Sequence, residues 1–242
     1  MEYPLGLALL GAFFAGLSKG GIKGISVLTV TVMVLAFGAK SSTGVILPLL
    51  ILGDILAVIY FKKHTKWKYL ISFVPWVLFG VIIATYFGKD LPEETFKNWM
   101  AGTILLSAIF MWFSEKTSKE VTPSNRWFSG LVGFAAGFTT MIGNLAGPFA
   151  NLYFLATRLP KNEIIGTAAW VFFIVNLFKV PFHIYVWETI NIESLQINLT
   201  LIPGVVFGFF AGVKLVSYFS EQFFRQFLII VTAIGALIIL FS

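Results

Sequence analysis

Of 242 residues, 58% are hydrophobic and only 12% charged, roughly half the charged share of an ordinary soluble domain. With a mean hydropathy of +0.90, a water-soluble globule is excluded and an all-α, polytopic transmembrane bundle is expected. The net charge of +6 comes from basic residues scattered through connectors, which is the pattern that orients membrane proteins, so no nucleic-acid partner is expected.

The first apolar run, residues 4–38, starts without the basic region of a cleavable signal peptide and is read as mature structure. It is followed by runs at 44–60, 70–88 and 98–113, a polar stretch ending at Pro123, and a second long run at 127–157. Further runs at 164–186, 196–213 and 223–241 complete the chain. As straight helices the two long runs would reach ~52 Å and ~46 Å, against ~30 Å of hydrocarbon. Each is interrupted near its middle, by Ser18-Lys19-Gly20-Gly21-Ile22-Lys23-Gly24 and by Gly143-Asn144-Leu145-Ala146-Gly147-Pro148. Glycine and proline disfavour helix there, so both runs are expected to be re-entrant hairpins.

Connector charge tests that expectation. With both runs re-entrant, one side holds Lys62, Lys63, Lys66, Lys68, Lys116, Lys119, Arg126, Arg158, Lys161, Lys214 and Arg225, and the other only Lys40, Lys89 and Lys97. If each long run crossed once instead, the two sides would balance. The re-entrant topology therefore gives a basic, cytoplasmic side and extracytoplasmic termini in a multi-pass cell-membrane protein.

The halves repeat. Pro75, Val77, Phe79 and Gly80 match Pro203, Val205, Phe207 and Gly208, and Glu93, Phe96 and Lys97 match Glu221, Phe224 and Arg225. Gly20 and Gly24 match Gly143 and Gly147, and Thr43 and Thr167 each open the next span. One transmembrane domain is expected, with repeat 1 over about 1–114, a linker at 115–125 and repeat 2 over about 126–242. Each repeat has one hairpin and three crossings, so the two are inverted, a transporter layout in which the breaks point to the substrate. Trp67, Trp99, Trp112, Trp127 and Trp187 lie at span ends, where interfacial anchors belong.

Lys19, Lys23 and Lys179 lie inside apolar runs, where a cation costs ~2.5–3.5 kcal/mol on insertion scales and marks a functional site. A broken helix exposes backbone N–H groups and a partial positive charge at its restart, which suits an oxyanion. Ser18, Lys19, Gly20, Gly21, Lys23 and Gly24 are therefore candidates on one side of a substrate, although Gly20 and Gly24 also read as a GxxxG packing seam. Thr140, Gly143, Asn144, Gly147, Asn176 and Lys179 are candidates on the other side, Gly147-Pro148 reading equally as a structural turn. Asp54, the one carboxylate within a span, is expected to balance a lysine or carry a proton. His183 is a candidate for proton movement or simply an interfacial ring.

The absence of cysteine excludes disulfides and thiolate catalysis. Two histidines, His64 and His183, are too few for a haem pair or a typical zinc site. There is no Walker loop, HExxH or assembled triad, so neither a cofactor nor a metal is expected, and an enzyme is the least favoured class.

Gly16-Leu17-Ser18-Lys19-Gly20-Gly21, then Leu47-Pro48, Gly53-Asp54 and the basic connector with Trp67, resembles the first half of the sulfite exporter TauE/SafE family. Gly143 to Pro148, then Gly166-Thr167 and Asn176, resembles its second half. The likeness runs from about residue 5 to the C-terminus. It departs at Ile22-Lys23 and Asn144-Leu145-Ala146, where further glycines are common. The resemblance implies a permease moving sulfite, sulfoacetate or other organosulfonates, generally outward. A passive anion channel, an importer of a related oxyanion and a non-transporting membrane partner are the rival readings, and a homodimer stays open.

Overall fold

The computed structural model describes residues 4–22, 25–116, 126–157 and 159–215. Lys23, Gly24, Arg158, most of the linker and the expected run at 223–241 lie outside the described residues. Among the described residues the regular structure is entirely helical.

The first long run breaks where its glycines stand. Helix α1 (Leu5–Lys19) ends as Gly21 turns to φ 115°, with Gly21 N–H donating to the Ser18 carbonyl and Ile22 N–H to the Leu17 carbonyl. This is a Schellman stop, which needs a residue free to adopt positive φ and usually a hydrophobic contact behind it. Ile22 supplies that contact by packing with Leu17 and Ile25. The chain restarts as α2 (Ser26–Phe37) and folds back along α1, because Gly11 and Met33, equidistant from Ile22, are in contact.

After a turn at Gly38, φ 82°, come α3 (Ala39–Phe61), a short 3-10 turn (Lys62–His64), α4 (Trp67–Lys89) and α5 (Glu93–Lys116). Glu93 caps α3 from outside: its Oε1 accepts from Ala39 N–H at 2.6 Å and Lys40 N–H at 3.1 Å, placing an anion at the positive end of a helix. The second long run gives α6 (Arg126–Gly143) and α7 (Gly147–Ala156). Asn144, at φ 55°, makes the turn between them. Phe73 on α4 touches both Gly133 and Tyr153, equidistant from Gly143, so α7 returns along α6. Helices α8 (Lys161–Tyr185) and α9 (Ile192–Leu215) follow.

Contact register fixes directions. Helices α3 and α8 are antiparallel: Gly44 abuts Thr189, Asp54 meets Asn176, and Gly166 abuts Phe61. Helix α1 runs parallel to α9, Phe13 meeting Gly208 and Gly20 meeting Gly212; α4 runs parallel to α6, Val77 and Gly80 meeting Gly137. In these two seams backbone meets backbone closely. A β-carbon on Gly208 would fall 2.1 Å from the Phe13 carbonyl oxygen, and one on Gly80 2.3 Å from that of Phe134. Small residues let backbones meet where lipid supplies no hydrophobic drive, and here each hairpin's leading helix docks on a helix of the other half.

Among the described residues, four helical stretches are long and apolar enough to cross a bilayer: Ala39–His64, Trp67–Lys89, Asn162–Tyr185 and Ile192–Leu215. Helices α1 and α2 are shorter; at 1.5 Å per residue they rise ~22 Å and ~18 Å, against ~30 Å of hydrocarbon. Trp67, Trp99 and Trp127 are exposed at helix ends. Trp187 is a correction: it is 6% exposed, not an interfacial anchor. Its indole N–H donates to the Thr85 carbonyl at 2.9 Å, and its ring packs on Phe96. The Glu188 turn, φ 55°, folds the α8–α9 connector inward and carries the indole with it.

Candidate functional site

Lys19 is the last residue of α1, where the helix dipole favours a cation. Its stem crosses α3 at Gly53, whose missing side chain leaves the room: a β-carbon there would lie 2.8 Å from Lys19 Cγ. The ammonium then reaches Asp54 Oδ1 at 2.6 Å and stands 4.7 Å from the Phe172 ring centroid on α8, a cation–π distance. Asp54 is fully buried. Its second oxygen accepts from Asn176 Nδ2 at 2.7 Å. The carboxylate therefore ties hairpin 1 to α3 and α3 to α8.

Lys179, one turn beyond Asn176 on the same face, is also fully buried but faces the other hairpin. Its Nζ donates to the Thr140 carbonyl at 2.8 Å and to Asn144 Oδ1 at 2.5 Å, with Thr140 Oγ1 at 3.5 Å. Asn144 Nδ2 continues the chain to the Thr43 carbonyl at 3.4 Å. The positive φ at Asn144 aims both amide atoms inward from a tight turn.

Between the two breaks lies a cavity of about 90 Å³. A water's share of liquid volume is about 30 Å³, so the space suits a few waters or one small ion. Ser18, Lys19, Gly21, Asp54, Thr140, Asn144, Gly147 and Asn176 all line it. Ser26 and Gly147, the first residues of α2 and α7, face each other across it: the Ser26 hydroxyl is 3.5 Å from where a β-carbon on Gly147 would sit. Two helix N-termini thus point at one space, and each presents orphan N–H groups.

Not every candidate is there. Gly20 packs on the α9 backbone at Phe209 and Gly212, and Gly143 packs on Leu145 and Met100. Lys179 stands behind the lining, spent on Thr140 and Asn144. His183 is fully buried beyond it, with Nδ1 2.8 Å from Thr189 Oγ1 and its ring 5.2 Å from Trp187; it is neither interfacial nor in contact with the cavity. Lys23 and Gly24 lie outside the described residues. Ser26, Asn151 and Phe172 line the cavity without having been singled out. Ser26 carried a signal, as a serine at a helix restart; Asn151 sits one turn into α7 from Gly147; Phe172 carried none.

From the breaks the cavity runs along Ala57, Ile165, Ala168 and Ala169, toward the end where α3 finishes and α8 begins, beside the basic connector. Toward the opposite end Asn144 lines it, with Lys179 and Thr43 hydrogen-bonded behind. On that basic face Lys66 N–H donates to Thr167 Oγ1 at 2.9 Å and Lys66 pairs with Glu163 at 3.0 Å. Among the described residues no three His, Asp or Glu side chains gather as metal ligands would.

Long apolar helices around a buried, charged, ion-sized space define a polytopic membrane protein with a polar site in its interior. The model of the family described as Sulfite exporter TauE/SafE matches residues 8–239, and the chain belongs to that family, one of membrane transporters of small anions. No curated protein and no solved structure matches it.

Proposed function

We propose that the protein is a secondary transporter that exports small sulfur-containing anions, such as sulfite or an organosulfonate, across the cell membrane. The carrying observation is the meeting of Lys19 with the starts of α2 and α7 around one cavity. An oxyanion there would take hydrogen bonds from orphan backbone N–H groups, the Ser18 and Ser26 hydroxyls and the Lys19 ammonium, with charge-assisted strength. Asn144 and Asn176 would orient it.

The two halves act as inverted repeats that rock about the site, joined by the linker expected at about 115–125. Supporting this, Gly80 and Gly208, matched in the sequence, each dock on the opposite hairpin, and Gly44 and Gly166 each abut the connector after the other's helix. The form described here is inward-facing if the basic connector is cytoplasmic. The hydrogen-bonded set of Thr43, Asn144 and Lys179 beyond the cavity favours a carrier over an open channel. An inside-negative potential drives anion efflux by ~2.3 kcal/mol per charge per 100 mV.

The test is sulfite efflux from proteoliposomes by the Lys19→Met/Asp54→Leu double variant, which removes both buried charges together. Efflux is expected to vanish while the protein stays folded; undiminished efflux removes the pair from the site.

A further inference from the structure

The charges around the cavity do not cancel. Lys19 and Asp54 neutralise each other at 2.6 Å. Lys179 is fully buried and has no carboxylate of its own among the described residues. Its Nζ meets two carbonyl-type acceptors and a hydroxyl, a set that suits the three donors of an ammonium. Behind it, His183 Nε2 is buried with no partner, as suits a ring without a proton on that nitrogen. The described interior of the site therefore holds one positive charge in excess.

We infer that Asp54 sets the valence of the transported ion, and that the site takes a monoanion, hydrogensulfite or a sulfonate, in preference to a dianion such as sulfate. This rests on reading the cavity as an anion site. One negative charge brings the buried sum to zero. A second would stand uncompensated among the buried groups of the site, and uncompensated buried charge is strongly disfavoured. Without Asp54 the excess would be two, which matches a dianion instead.

The experiment uses the purified full-length chain and two probes whose charge does not change near neutrality, methanesulfonate and sulfate, at matched ionic strength. Dissociation constants come from ligand-dependent thermal shifts. For the unmodified chain, methanesulfonate is expected to bind at least tenfold more tightly than sulfate. In Asp54→Asn, whose amide oxygen still accepts from Lys19, that ratio is expected to fall at least tenfold and to favour sulfate. Sulfate binding as tightly as methanesulfonate to the unmodified chain overturns the inference while leaving an anion site in place. So does a ratio unmoved in Asp54→Asn, or one that moves equally in Glu94→Gln, an exposed carboxylate outside this count. Binding of neither probe, nor of sulfite, overturns the anion site itself. The unmodified chain decides the matter even if Asp54→Asn does not fold.

Discussion

Lys19 and Asp54 illustrate why a buried ion pair is a better sign of function than of stability. Removing one partner strands the other, at about 3–5 kcal/mol, whereas replacing both with apolar groups is often neutral. Lys19→Met alone should therefore lower the thermal midpoint of the purified protein sharply, and Lys19→Met/Asp54→Leu should recover most of that loss. If the double variant is as unstable as the single one, the pair is not the isolated unit described here. Asn144 plays the same part for Lys179. Asn144→Ala takes away the shortest acceptor of a fully buried ammonium and is expected to cost about 1–3 kcal/mol, read as a fall in the denaturation midpoint; an unchanged midpoint would mean that the Thr140 contacts suffice.

Among the elements, the seams α1 with α9 and α4 with α6 carry the hairpins, and both depend on glycine. Gly80→Ala and Gly208→Ala put a methyl group into facing backbone and should each reduce thermal stability, by similar amounts. Gly102→Ala on α5, where nothing lies within 4 Å, serves as the control and should leave it unchanged. Gly21→Ala tests the break itself: an L-residue at φ 115° is strained, by about 1–2 kcal/mol for left-handed backbone, so hairpin 1 should loosen. The sequence made the breaks legible because glycine runs, Pro148 and excess run length all pointed to the same positions. It also marked Asp54 as a group to balance a lysine or carry a proton, and set Gly80 against Gly208 by repeat. What it could not show was direction in space. Lys179 and Lys19 read alike along the chain, yet one lines the cavity and the other is consumed by Thr140 and Asn144, since which acceptors face an ammonium is decided by helix packing. Trp187 misled for a related reason: a tryptophan at a span end is interfacial only if the following turn leaves it outside, and the turn at Glu188 folds it in.

For the molecule as a whole, the account needs a cavity that opens at the basic end and an anion that sits between the hairpin tips. The natural chain has no cysteine, so a single introduced thiol reports without interference. Ala168, on the cavity wall of α8, is placed to feel an occupant without touching Lys19 or Asp54. The decisive measurement is the rate at which a membrane-impermeant thiol reagent modifies Ala168→Cys in oriented vesicles, with and without sulfite. The account predicts modification from the side carrying Lys62–Lys68 only, slowed several-fold by sulfite at concentrations that saturate transport. Modification from the opposite side, or a rate indifferent to sulfite while transport saturates, would contradict it.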